Sequence, residues 1–242
     1  MTRTVVVSGG GTGIGYAVAA RFAADDNVVL VGRREEVLAE AAAKLGDRAS
    51  YVAADLASVE GAANVAGFTN ERFGAVDVIA ACAGGIVLAA GEGLTETSQA
   101  WTDNFHLNVM TAVHLVEALK PLLNDDGRVL LYSSVAAYRG SGNGSYAAAK
   151  VALHPYAIDL ANALGPKRVT ANVIVPGYIE DTEFFGDRMT EARRAALVGQ
   201  TMNGRAGTPA DIAELSHWLA APEAGHVTAQ IIQSNGGALA GR

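Results

Sequence analysis

The sequence predicts an α/β fold: a doubly wound, mostly parallel sheet of about seven strands with helices on both faces. Three observations carry this. Short runs rich in Val, Ile, Ala and Leu recur along the chain, most of them apolar throughout rather than alternating, which marks strands buried on both faces. Longer amphipathic segments separate the runs, so the units are βαβ with right-handed crossovers. A glycine-rich turn stands at the first strand-to-helix junction.

In chain order, residues 4–8 form the first run, and the chain enters it almost at once, with no signal peptide ahead of it. The turn Ser8-Gly9-Gly10-Gly11-Thr12-Gly13-Ile14-Gly15 leads into a helical segment over 14–24. Strand 27–31 and helix 35–45 follow, the latter opening on Glu35 and Glu36, whose charges complement a helix N-terminus. Strand 50–54, helix 59–73 and strand 76–81 continue the rhythm, then a long helix over 101–123 and strand 128–133. Helix 146–164 contains Pro155, which removes a backbone hydrogen bond and predicts a kink. After strand 170–175 the rhythm lapses until Thr208-Pro209-Ala210-Asp211, an N-cap threonine with proline in the first turn, starts helix 210–219. Strand 230–233 is the last. No linker, repeat or low-complexity segment divides the chain, so residues 1–242 read as a single domain.

Composition bounds the function. Half the residues are hydrophobic and 18% are charged, which suits a soluble protein with a sizeable core. A net charge of −7 without a Lys/Arg-rich block argues against nucleic acid or an anionic membrane as partner. The most apolar stretch, 76–90, is broken by Asp77, Gly84 and Gly85 and is too short to span a bilayer. Cys82 is the only cysteine, which fits a reducing compartment, and the cytoplasm is the expected location. The five histidines show no metal-ligand spacing, and His106 and His114 read as helix-face residues, so no metal site is expected.

Two stretches carry chemistry. In the glycine turn, Gly9, Gly11, Thr12, Gly13, Ile14 and Gly15 let backbone approach a pyrophosphate closely, and the helix behind them offers free N–H groups. Tyr146 and Lys150 are four residues apart, hence one turn apart on one helix face. A nearby ammonium favours the phenolate and lowers its pKa, which makes Tyr146 a tuned general acid/base. A third stretch bears on cofactor choice. An NAD site places a carboxylate at the end of the second strand, but Gly32 stands there, followed by Arg33 and Arg34. Guanidinium groups suit a phosphate, so NADP is expected over NAD.

Gly9-x-x-x-Gly13-x-Gly15 together with Tyr146-x-x-x-Lys150 resembles the short-chain dehydrogenase/reductase family, and the similarity covers essentially the whole chain. Asp55, Ala83-Gly84, Asn108, Ser133-Ser134, Pro176-Gly177 and Asn235-Gly236-Gly237 match further family motifs in order. The resemblance implies a Rossmann fold and a catalytic set of Ser134, Tyr146, Lys150 and Asn108, with Ser133 the alternative to Ser134. It implies that Tyr146 gives the carbonyl oxygen its proton, Lys150 holds the nicotinamide ribose, Ser134 binds the substrate oxygen and Asn108 positions a water. Cofactor contacts are implied at Asp55, Leu56, Cys82, Ala83, Gly84, Pro176, Gly177, Ile179 and Thr182. Ala81 and Cys82 depart from the family's two asparagines, and the loop from Ser134 to Tyr146 is shorter than usual.

Residues 176–207 read as a substrate loop inserted in the domain, with Tyr178, Phe184, Phe185, Met189 and Met202 among charges. With Ala136, Ala137, Tyr138, Ile86 and Leu88, they predict a largely apolar substrate around its carbonyl or alcohol. The function implied is NADP-dependent hydride transfer, 3-oxoacyl thioester reduction being one route. The rival is an NADP-binding regulator or scaffold that does no chemistry, which the presence of both Tyr146 and Lys150 disfavours. The resemblance also implies a homotetramer, paired through 101–123 with 146–164 and through 210–219 with the tail.

Overall fold

The computed structural model describes residues 2–240. In chain order the elements are β1 (Thr4–Ser8), α1 (Gly13–Ala23), β2 (Asn27–Gly32), α2 (Glu35–Leu45), β3 (Ala49–Ala53), α3 (Val59–Phe73), β4 (Val76–Ala81), α4 (Leu94–Phe105), α5 (Thr111–Leu119), β5 (Leu123–Tyr132), α6 (Ala136–Arg139), α7 (Gly144–Leu164), β6 (Thr170–Pro176), α8 (Glu191–Val198), α9 (Pro209–Leu219) and β7 (Ile231–Ser234). The strands form one sheet in the order β3-β2-β1-β4-β5-β6-β7, and every adjacent pair is parallel. The strand order reverses between β1 and β4, which opens a crevice at their carboxyl ends.

The pleat sorts alternate residues to opposite layers. On one face Val6, Ile79 and Leu131 pack with Val65 of α3, Leu115 of α5 and Leu153 of α7. On the other, Val5, Val7 and Leu30 pack with Phe22 of α1, Leu38 of α2 and Ile212 of α9. Because both faces are covered, the middles of the central strands, such as Val5–Val7, Val28–Val31 and Val78–Ala81, are apolar at consecutive positions. Fully burying one such side chain contributes about 1.5–3 kcal/mol.

Several elements differ from the sequence expectation. The long helix starts at Leu94 rather than at 101, and a π-helical turn over His106–Met110 separates α4 from α5. Residue 123 begins β5 instead of ending that helix. The sheet register jumps from Val76↔Leu123 to Val78↔Arg128, so 124–127 bulge out with Asp126 at φ 59°. The short helices α6 and α8 lie where no periodicity was visible, and α8 buries none of its residues. Finally, α7 runs unbroken through Pro155. The carbonyl that loses its partner belongs to Val151, a residue 40% exposed on the outer side of the helix. No helix among the described residues is long and apolar enough to cross a membrane.

Candidate active site

A cavity of about 1390 Å³ follows the crevice from Arg33 and Arg34, past the glycine turn, to Tyr146, Phe184 and Leu197. Its first half is built from strand ends. Gly9 and Gly13 adopt φ of 65° and 54°, which side chains disfavour. A side chain at Gly15 would sit 2.2 Å from the Gly9 carbonyl oxygen, so α1 can approach the turn only because Gly15 has none. Ser8 Oγ accepts from the Ala83 N–H at 3.0 Å and ties β1 to β4 across the switch point. His114 Nδ1 donates to the Leu56 carbonyl at 2.9 Å and holds the next strand end.

The start of α1 differs from those of α3, α8 and α9. α3, α8 and α9 are capped by the side chains of Ser58, Thr190 and Thr208. Thr12 makes no such bond and the first turn of α1 holds no acid, so its N–H groups and positive dipole end face the cavity. With Arg33 and Arg34 further along, these residues fit an anionic dinucleotide. Gly9, Gly11, Thr12, Gly13, Ile14, Gly15, Asp55, Leu56, Cys82, Ala83, Gly84, Pro176, Gly177, Ile179 and Thr182 all line the cavity.

Beyond the switch point, Ser134 follows β5, and Tyr146 and Lys150 lie in the first turns of α7. Asn143 caps that helix, its Oδ1 accepting from the Tyr146 N–H at 3.0 Å and from Ser145 Oγ at 2.7 Å. An uncharged polar network supports this start. Asn104, fully buried in α4, makes four hydrogen bonds: Nδ2 donates to Val87 O, Ala100 O and Ser145 Oγ, and Oδ1 accepts from Val87 N. The loop after β4 is thereby clamped to the turn that carries Tyr146. The asparagine cap just ahead of α7 is a readable sequence signal. Asn104 is not, because its partners are 17 and 41 residues away.

Burial, not charge, governs the ionisation of the pair. The Tyr146 phenol is pushed up to about 12 by desolvation, with the Ser134 hydroxyl pulling the other way. Burial lowers Lys150 to about 8. This corrects the expectation that Lys150 depresses the phenol: its Nζ donates to the Tyr132 carbonyl at 2.9 Å and lies 6.0 Å from the centre of the Tyr146 ring. Asn108 is also placed differently from expectation. It is fully buried behind the cavity wall, with Oδ1 accepting from Gly85 N at 3.1 Å and Nδ2 donating to Gly85 O and Asn104 O. A side chain at Gly84 would lie 2.8 Å from Asn108 Oδ1 and 2.9 Å from Lys150 Nζ, so Asn108 and Lys150 flank that glycine together. Ser133 turns away from the cavity chemistry: its hydroxyl donates to Lys150 O at 2.9 Å and accepts from His154 Nε2. Ser134 faces Tyr146, its hydroxyl directed toward the phenol, while its oxygen accepts from Ala136 N at 3.2 Å.

The second half of the cavity is the segment 176–207. Residues 179 and 207 pair at its base, with Glu180 N donating to Gly207 O and Gly207 N to Tyr178 O. Phe184 packs on Tyr146 at 5.5 Å and Phe185 on Phe184 at 4.9 Å. Ile86 and Ala136 line the wall as expected, whereas Ala137, Tyr138 and Leu88 do not reach it. Charge is present at the rim: Arg188 donates to the Phe184 and Phe185 carbonyls, and Arg193 lies over the Phe185 ring.

Residues 9–238 match the family model described as Enoyl-(Acyl carrier protein) reductase. The chain is 32% identical to the short-chain reductase protein NovJ of Streptomyces niveus, over 96% of this chain and 92% of that protein. It is 28% identical to the 3-oxoacyl-(acyl-carrier-protein) reductase FabG of Vibrio cholerae, over 97% and 96%. A short-chain dehydrogenase/reductase from Brucella melitensis, titled glucose/ribitol dehydrogenase, superposes with a TM-score of 0.91 at 33% identity, over 99% of this chain and 97% of that one. A blue fluorescent protein from a metagenomic library, solved in complex with NADPH, does so with a TM-score of 0.89 at 29% identity, over 98% of each chain. A fold, a glycine turn and a Tyr–Lys helix of this kind, matched end to end, mean that the chain belongs to the short-chain dehydrogenase/reductase family of oxidoreductases.

Proposed function

We propose that the protein reduces a carbonyl substrate, or oxidises the matching secondary alcohol, with NADP(H) as partner. The observation that carries this is the meeting of Ser134, Tyr146 and Lys150 in the same cavity that ends at Arg33 and Arg34. When bound, NADPH supplies the hydride. Ser134 offers its hydroxyl proton to the substrate oxygen and stabilises the charge that develops there. Tyr146, kept protonated by burial, gives that oxygen its proton as the new C–H bond forms. Lys150 is protonated at neutral pH even with its depressed value; it would hold the nicotinamide ribose and offset charge on the phenolate left behind. Phe184, Phe185 and Ile86 exclude water around the reacting carbonyl.

The relatives include a 3-oxoacyl-(acyl-carrier-protein) reductase, FabG of Vibrio cholerae, and an acetoacetyl-CoA reductase of Allochromatium vinosum, whose names denote reduction of a 3-oxo group on a thioester. The test is a panel of ketones, 3-oxoacyl thioesters, secondary alcohols and sugars followed by cofactor absorbance. Turnover that depends on Tyr146 supports the reading. Tight NADPH binding with no turnover on any class would replace it with a regulatory role.

A homotetramer is part of the same reading. Trp101 and Phe105 of α4 and Val151 and Ile158 of α7 are 49%, 45%, 40% and 43% exposed, on the surfaces expected to pair. Light scattering should give four times the 24.8 kDa chain mass at micromolar concentration. A monomer mass would leave that apolar surface unexplained.

A further inference from the structure

The segment that leaves β6 does more than roof the substrate half. From its base at Ile179 and Gly207 it crosses the mouth of the cleft. Thr182 packs over the glycine turn, its methyl 3.5 Å from where a Gly13 side chain would be. The next residue, Glu183, accepts from Arg34 Nη2 through Oε2 at 2.9 Å. Arg34 is thus claimed from two sides. It stands where the phosphate that distinguishes NADP from NAD is expected, and it is already paired to a carboxylate of the substrate segment.

We propose that Glu183 is a specificity-determining residue, which competes with the 2′-phosphate of NADP for Arg34 and couples cofactor identity to the position of the segment over Tyr146. This rests on the NADP reading above. Both side chains of the pair are well exposed, 59% and 63%, so the bond is a weak latch. A phosphate ester carries nearly two charges and three acceptor oxygens, and it fits a guanidinium bidentately, so it takes Arg34 from a single carboxylate. Arg33, next in the chain, can share the new anion. Glu183 is then left beside that anion within a Debye length, and like charges repel. Glu35 and Glu36, the other carboxylates at this corner, sit in the first turn of α2 and add to that repulsion. Phe184 follows Glu183 directly, and its ring lies against Tyr146, so movement of one carries to the other. A 2′-hydroxyl brings no charge; with NADH the latch stays shut.

The test is cofactor binding, read by nicotinamide fluorescence, for wild type, Glu183→Gln and Arg34→Ala, with hydrogen exchange of the 180–189 amides alongside. Glu183→Gln is expected to tighten NADPH about three- to tenfold and to change NADH less than about twofold. In wild type, NADPH but not NADH should raise exchange in 180–189. If wild type prefers NADPH and Arg34→Ala abolishes that preference, yet Glu183→Gln leaves both constants unchanged or shifts them equally, the inference is wrong and the NADP reading stands. If wild type binds both cofactors alike and Arg34→Ala is silent, the NADP reading has failed and the inference falls with it.

Discussion

The two halves of the cleft are held by different forces. The cofactor half is made of the carboxyl ends of β1, β2 and β4, whose residues Val5–Val7, Val28–Val31 and Ile79–Ala80 are fully buried. Its turn geometry follows from backbone and from glycines, and it can open only with the core. The substrate half hangs on the pairing of residues 179 and 207, a few aromatic contacts and exposed ion pairs such as Arg34–Glu183 and Arg194–Glu180, each at 2.9 Å. α8 buries nothing, and Met202 is 81% exposed. Local opening is easy in such a segment and improbable in the strand ends. A fold built this way can change its substrate by editing one weakly held segment while its cofactor site stays constant.

The largest effect should come at the seam between the halves. Tyr146→Phe keeps the ring packing and removes only the transferable proton, so kcat should fall about 10²–10⁴-fold with cofactor affinity nearly unchanged. Retention of more than about a tenth of wild-type kcat, with chemistry rate-limiting, would sink the general-acid assignment.

The clamp that holds the turn carrying Tyr146 to the loop after β4 should come next. Asn104→Leu leaves the Val87 N–H and Ser145 Oγ short of a partner, so we expect a loss of about 1–3 kcal/mol in stability. A misplaced Tyr146 should lower kcat about ten- to a hundredfold, while NADPH binding by fluorescence stays within about twofold. An unchanged kcat in a folded variant would mean that the seam needs no clamp.

Arg33→Ala acts on the cofactor half alone. Each charge-assisted contact contributes about 1.5–3 kcal/mol, so the preference for NADPH over NADH in kcat/KM should drop about tenfold or more. The drop should be the same for every substrate. A substrate-dependent drop would show that the halves are not separable.

The smallest effect is one of stability. A lysine whose folded pKa is depressed destabilises the fold wherever it is protonated. For Lys150 the penalty is full below pH 8 and vanishes as pH rises toward the ordinary value of 10.5. Lys150→Met should therefore be more stable than wild type by about 1 kcal/mol or more at pH 7, with the lost bond to Tyr132 O offsetting part of the gain. The gap should narrow between pH 8 and pH 10; a gap independent of pH would mean the ammonium is not desolvated.

Much of this was legible before any coordinates. Most of the apolar runs mark strands buried on both faces, and each of the seven strands is found, the edge strands β3 and β7 being only half-buried. The glycine turn and the Tyr146–Lys150 spacing are likewise local, set by φ angles and helix pitch within a few residues. Tertiary structure decided what depends on distant partners. The bulge at 124–127 exists because β4 must pair across it, and the π-turn at 106–110 places Asn108 against Gly85, 23 residues away. It also reversed a reading made from spacing alone. One turn of helix brings an ammonium near a phenol, but whether charge or desolvation controls the phenol's pKa depends on how much water the rest of the chain leaves around it, and here it leaves almost none.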